Sequence, residues 1–145
     1  MPDQDAAAEE RAALEQSARG MAVRRQVLGD EHVDRSAAAA SEFSAPWQDF
    51  VTDHAWGAVW TRPGLDRRTR SMITLALLAG LGHQHELGLH VRAAVGNGVT
   101  AAEIREVLMH TAVYAGVPAA NTAFGVAQRV LAELGEPSAA RDESA

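Results

Sequence analysis

Residues 72–81 constrain the fold more than any other part of the chain, because they are apolar around the whole circumference of a helix. Asp66 precedes them as an N-cap, and Gly80 and Gly82 provide the end signal, so we predict a helix from about residue 67 to 81. A helix without a polar face must be covered on all sides. We therefore expect this helix to be buried centrally among other helices.

The rest of the body also shows helical periodicity, and no stretch alternates between apolar and polar residues as a β-strand would. Thr100 and Glu103 have the spacing of a capping box, and Pro46 suits the first turn of a helix capped by Ser44. Residues 31–41 lack periodicity, and we expect them to be irregular. The sequence thus predicts an all-α fold with about six helices, at about residues 11–28, 44–62, 67–81, 84–97, 100–115 and 118–134.

The length of 145 residues fits one domain, which we place at residues 11–135 between two disordered acidic tails, residues 1–10 and 136–145. These tails account for the whole net charge of −6. The neutral body offers no basic footprint for nucleic acid, and no apolar run is long enough to span a membrane, so the cytoplasm is the expected location. The chain has no Cys and no Lys, which excludes thiolate and Schiff-base chemistry.

The best candidates for chemistry are His83, Glu86 and His90, spaced i, i+3 and i+7. On one continuous helix these side chains share a face, because i+7 falls within about 20° of two full turns. Three interpretations of these two histidines and one glutamate remain open. They could ligate a metal, although His85 and His90 are i, i+5 and miss the i, i+4 spacing of the zinc-protease motif. Glu86 and His90 could exchange a proton, or they could simply support the helix.

A second group of candidates lies before the apolar helix. Trp56 and Trp60 are i, i+4 and would usually be core residues, but they could also form the wall of a pocket. Arginines cluster next to them in an otherwise neutral body, which suits an anionic ligand. The members of the cluster are Arg62, Arg67, Arg68 and Arg70.

These residues resemble the γ-carboxymuconolactone decarboxylases over roughly residues 20–132. The resemblance rests on Trp56-Gly57-x-x-Trp60-x-Arg62-Pro63-Gly64, His85-Glu86-Leu87-x-Leu89-His90, Asn97-Gly98-Val99-Thr100 and Tyr114-x-Gly116-Val117-Pro118. The wider superfamily includes alkylhydroperoxidase D-like proteins with a Cys-x-x-Cys-x-x-x-His motif. His83 and Glu86 stand where that motif has its cysteines, so thiol peroxidase chemistry is closed to this chain.

The resemblance implies an alkylhydroperoxidase D-like helical fold with a central helical hairpin. It implies decarboxylation of a lactone dicarboxylate without metal or cofactor, with His90 and Glu86 as the catalytic residues. Substrate-binding candidates are Arg62, Arg68, Arg70, Trp56, Trp60 and His83, the last departing from the family pattern. A binder or converter of a different small acid or lactone is the alternative. The family also implies a homo-oligomer, either a hexamer built as a trimer of dimers or a trimer.

Overall fold

The computed structural model describes residues 2–136, and every regular element in that range is helical. The predicted all-α class is therefore confirmed. The elements in order are α1 Pro2–Leu28, α2 Asp30–Ala38, α3 Ala45–Phe50, a π-helical segment Val51–Trp60, α4 Arg67–Leu81, α5 Gln84–Gly96, α6 Ala101–Ala115 and α7 Val117–Glu133. None of the helices among the described residues combines the length and the apolar character that crossing a bilayer requires.

Two N-terminal stretches differ from the prediction. Residues 2–10, predicted to be a disordered tail, form the first turns of α1. Residues 30–38, where we expected irregular chain, form α2, which buries only Val33. The predicted C-terminal tail lies almost wholly outside the described residues, which end at Glu136.

The chain divides into two compact units, one ending at Leu65 and the other beginning at Asp66. In the first unit, α1 packs against the π-helical segment at a glycine contact. A Cβ atom on Gly20 would lie 2.7 Å from the backbone nitrogen of Gly57, and one on Gly57 would lie 2.7 Å from the carbonyl oxygen of Gln16. Glycine at both positions thus allows the two backbones to touch.

The second unit consists of α4 to α7 around one hydrophobic core. Leu75, Leu87, Ile104 and Leu108 are its largest fully buried side chains. α4 and α5 form a helical hairpin, closed by Gly82 in the left-handed conformation (φ 77°). Thr100 and Glu103 form the predicted capping box at the start of α6.

The central burial predicted for α4 is wrong for the single chain. Leu75 and Ala79 are buried, but Ile73, Leu77 and Leu81 are exposed along the other side of the helix. The four-helix unit covers only one face of α4. The opposite face is apolar and uncovered in the isolated chain.

Candidate active site

The second unit presents Glu86 and His90 on α5. The helix begins at Gln84, so Glu86 lies in its first turn and His90 one turn later. Glu86 is exposed and His90 is half-buried. Each side chain directly precedes a core residue, Leu87 or Val91, so the pair lies at the edge of the buried face. A carboxylate and an imidazole one turn apart at such an edge can hold and transfer a proton to a ligand.

His83 lies at the boundary of α5 and not within the helix itself. It occupies the N-cap position of α5 with φ −83° and ψ 74°, outside the helical conformation, and its side chain is exposed and makes no capping bond. The predicted spacing assumed a continuous helix from residue 83. The structure has His83 as the N-cap, where its carbonyl oxygen accepts a hydrogen bond from the backbone N–H of Leu87 at 2.9 Å and so joins the first turn of α5.

The start of α4 contains three of the four clustered arginines, and two of the three, Arg68 and Arg70, are substrate-binding candidates. Asp66 caps the helix by accepting a hydrogen bond from the backbone N–H of Thr69 at 2.7 Å, and this bond lowers the pKa of Asp66. Arg68 and Arg70 are both half-buried in the first turn. The two residues are i, i+2 on the helix, so their guanidinium groups extend from different faces of α4, and each is a separate candidate for a substrate carboxylate.

Arg68, however, already has protein partners. Its guanidinium forms an ion pair with Glu103 and donates through Nε to the carbonyl oxygen of Gly98. Glu103 also accepts from the backbone N–H of Thr100 at 3.0 Å within the capping box. A substrate carboxylate would compete with Glu103 for Arg68.

A second polar contact, missed at the sequence level, joins α4 to the end of α5. Asn97 donates through Nδ2 to Oγ of Ser71 at 2.9 Å, and Ser71 is fully buried. In the sequence Asn97 enters only through the Asn97-Gly98-Val99-Thr100 motif of the resemblance, which predicts no contact with Ser71. The polar Ser71 within an apolar helix was the available clue, since a buried hydroxyl needs a partner.

The remaining candidates, Trp56, Trp60 and Arg62, belong to the first unit. The two tryptophan rings are 4.9 Å apart between centroids at 33°, with Trp56 buried and Trp60 half-buried. Arg62 is exposed just beyond the π-helical segment. Trp56 is thus mainly a core residue, whereas Trp60 and Arg62 remain accessible to a ligand.

A small cleft of about 70 Å³ opens in the second unit near the start of α5. Gln84 and Leu87 line it together with residues of α4 and α7, but Glu86 and His90 lie outside its lining. In the described part of the chain, no three His, Asp or Glu side chains come together as a metal site would require.

The acid–base pair at the edge of a helical core, with arginines on the preceding helix, is the arrangement of an enzyme for a small anionic molecule. The chain belongs to the Carboxymuconolactone decarboxylase family, whose model matches residues 45–129. It is 47% identical over 116 residues to 4-carboxymuconolactone decarboxylase of Acinetobacter baylyi, which covers 80% of this chain and 87% of the relative.

A second relative is equally similar. Nitrosuccinic acid decarboxylase npaB of Metarhizium robertsii is 47% identical over 115 residues, which cover 79% of this chain and 80% of the relative. The names of both relatives describe decarboxylases, but of different acids.

Proposed function

We propose that this protein decarboxylates 4-carboxymuconolactone (γ-carboxymuconolactone) to the β-ketoadipate enol-lactone, a step in aromatic catabolism. The observation that carries the proposal is the 47% identity to the Acinetobacter baylyi enzyme over 80% of the chain. The family match and the resemblance in the α5 motif support the same reaction.

The substrate itself explains why such a site suffices. When CO₂ leaves the ring carbon, the electron pair moves through the ring double bond to the lactone carbonyl, giving an oxyfuran-like dienolate. The enzyme then has to bind two carboxylates, stabilise the developing oxyanion and add one proton at the carbon α to the carbonyl. No electron sink outside the substrate is needed.

His90 is the proton donor in this proposal, acting as the imidazolium. Its half-buried position allows it to reach a ligand while part of the ring remains in the protein. Glu86, one turn earlier on α5, is the residue proposed to orient the imidazolium. A second role for Glu86, repulsion of the departing carboxylate, is the weaker version, because Glu86 is exposed and its charge is screened by water.

The substrate-binding candidates stay proposals unit by unit, with Arg68 and Arg70 in the second unit and Trp60 and Arg62 in the first. In Arg68, Nε and Nη2 bind protein acceptors, so a carboxylate there would share the guanidinium with Glu103 or compete with it. Trp56 has a lesser role in the proposal because it is buried, whereas the exposed His83 at the N-cap of α5 stays a substrate-binding candidate.

Nitrosuccinic acid is the second candidate substrate, because the Metarhizium robertsii relative is just as similar. Decarboxylation of nitrosuccinate follows the same course as that of the lactone, with a different electron sink. A nitro group on the carbon that loses CO₂ takes up the electron pair as a nitronate, which is then protonated on carbon. A site that binds two carboxylates and supplies one proton serves both substrates.

The test is decarboxylation of each acid in D₂O, followed by ultraviolet absorbance and by deuterium content of the product. We expect wild-type protein to consume the lactone faster and to add one solvent deuterium at the α-carbon. His90→Gln should lower kcat by about 10²- to 10⁴-fold. His85→Gln is the matched control, since His85 is exposed on the same helix and should leave kcat unchanged.

If the protein turns over nitrosuccinate faster than the lactone, nitrosuccinate becomes the assigned substrate, and the proposed decarboxylation followed by protonation on carbon still holds. Wild-type kcat in His90→Gln, with one deuterium still added, would disprove the role of His90. If neither acid is consumed, the decarboxylase proposal fails.

We further propose that copies of the chain associate through the α4–α6 face, which we define by its five exposed apolar residues. These are Ile73, Leu77 and Leu81 of α4 with Met109 and Val113 of α6. α4 and α6 pack against each other, and their outer residues recur at i, i+4. Uncovered apolar surface of this kind marks an interface. The trimer, hexamer and cytoplasmic assignments stay predictions.

A further inference from the structure

The first unit contains a cleft that the proposed reaction does not use. It has a volume of about 190 Å³, and all the residues that line it lie between Met21 and Thr52. One end is polar, formed by Arg24, Gln48 and Thr52. The walls are mostly apolar, formed by Met21, Val33, Ala37, Ala40 and Ala45, and Asp49 lies at the rim. Ala37 and Asp49 are exposed, so the cleft is open to solvent.

Arg24 is the unusual member of this lining. Only 7% of the residue is exposed, yet its hydrogen-bond acceptors are neutral. Nη1 donates to Oγ1 of Thr52 at 3.2 Å and Nη2 donates to Oε1 of Gln48 at 2.9 Å. Nε is buried without an acceptor, and no carboxylate in the described residues lies within ion-pair distance.

A buried charge without a counter-ion is costly, because water is lost and nothing replaces it. Burial, and to a smaller extent the charge of Arg25, lowers the pKa of Arg24, which is the expected direction for an uncompensated cation. The neighbouring Arg25, by contrast, has its charge balanced by ion pairs with Asp30 and Asp34. Arg24 instead faces an open cleft.

We propose that this cleft binds a small organic monocarboxylate, with its carboxylate on Arg24 and its apolar body against Ala37, Ala40 and Ala45. The volume equals that of about six waters at the ~30 Å³ each occupies in the liquid, which suits a short aliphatic acid. The carboxylate of Asp49 at the rim disfavours a second negative charge on the ligand. The site is independent of α5 and of the proposed reaction.

The experiment uses full-length protein labelled with ¹³C in its alanine methyl groups, titrated with butanoate and followed by NMR. We expect the methyl signals of Ala37, Ala40 and Ala45 to shift with a common Kd of about 1 mM or tighter. Chloride and butan-1-ol, which supply the charge or the apolar body alone, should bind more weakly. Alanine signals that shift only outside the first unit would overturn the proposal.

Arg24→Gln keeps a polar side chain but removes the charge, and it should weaken butanoate binding by about 10- to 100-fold. Arg25→Gln is its control and should bind like wild type. Ala37→Leu fills the cleft without touching Arg24 and should abolish binding, whereas Ala38→Leu, outside the lining of the same helix, should not. If Arg24→Gln or Ala37→Leu binds butanoate as wild type does, the site does not exist.

Discussion

Leu77→Asp tests whether the α4–α6 face joins copies of the chain. Leu77 lies at the middle of the exposed stripe on α4 and is 57% exposed in the single chain. Full burial of a leucine contributes about 1.5 to 3 kcal/mol, so covering the exposed half contributes roughly 1 to 1.5 kcal/mol per copy. Across a two-fold interface, where the residue occurs twice, this amounts to about 2 to 3 kcal/mol.

The substitution should therefore raise the Kd of association by at least about 30- to 150-fold, and by more where the new carboxylate loses its water. Sedimentation velocity over a concentration series measures this directly. Leu14→Asp is the control, because Leu14 is similarly exposed (65%) but lies on α1 in the first unit. It should leave the sedimentation coefficient unchanged.

Two results would refute the reasoning. Wild-type protein could sediment as a monomer at every concentration, in which case the apolar face has another purpose. Alternatively, Leu77→Asp could retain the mass and Kd of the wild-type assembly, which would place the interface elsewhere on the surface.

Three further predictions concern stability. Leu75→Ala, at a fully buried position, should lower the free energy of unfolding by about 2 to 5 kcal/mol in urea titrations with an unchanged m value. Gly20→Ala should destabilise the protein by about 1 to 3 kcal/mol, because the new Cβ atom would collide with backbone atoms. Gly125→Ala is the control in α7, where the space is open, and it should stabilise the protein by about 0.5 to 1 kcal/mol. Equal melting temperatures for the two variants would contradict the close contact at Gly20. Since the folded-state pKa of Asp66 is lowered, its stabilising effect is present at neutral pH and lost as the pH falls through that value, so the difference in Tm between wild type and Asp66→Ala should vanish in acid.

The elements that the sequence predicted correctly are those with strong local signals. The capping box at Thr100, the cap at Asp66 and the left-handed turn at Gly82 each place a helix end where the structure has it. Such signals depend on bonds between residues a few positions apart in the chain, so they can be read from the sequence without knowing the tertiary contacts.

The prediction errors lie at the two N-terminal helices, where tertiary contacts or charge determine whether a helix forms. α2 is only nine residues long and buries a single apolar side chain, Val33, so too few apolar residues mark it as a helix in the sequence. The first ten residues could be read as a disordered lead, which we favoured because chain termini are often loose, or as the start of a helix; the structure has the helix, and negative charge favours a helix N-terminus.

The position of the candidate site on α5 could be predicted from the sequence, but the ion pair between Arg68 and Glu103 could not. The spacing located Glu86 and His90 one turn apart, as the structure has them. It could not show that Glu103 engages Arg68, since the two residues lie 35 positions apart in the chain. Long-range ion pairs of this kind become visible only once α4 and α6 are packed.

The π-helical segment has a consequence for how the chain can change length. Its wider turns hold more residues than an α-helix of the same height. Deleting one residue there can be absorbed by a return to α-helical bonding, with both flanks kept in place. The same deletion in α4 would rotate everything beyond it by about 100° and carry core side chains into water. Single-residue deletions in this protein should therefore be tolerated best within residues 51–60, where they would also change how Trp56 and Trp60 stack.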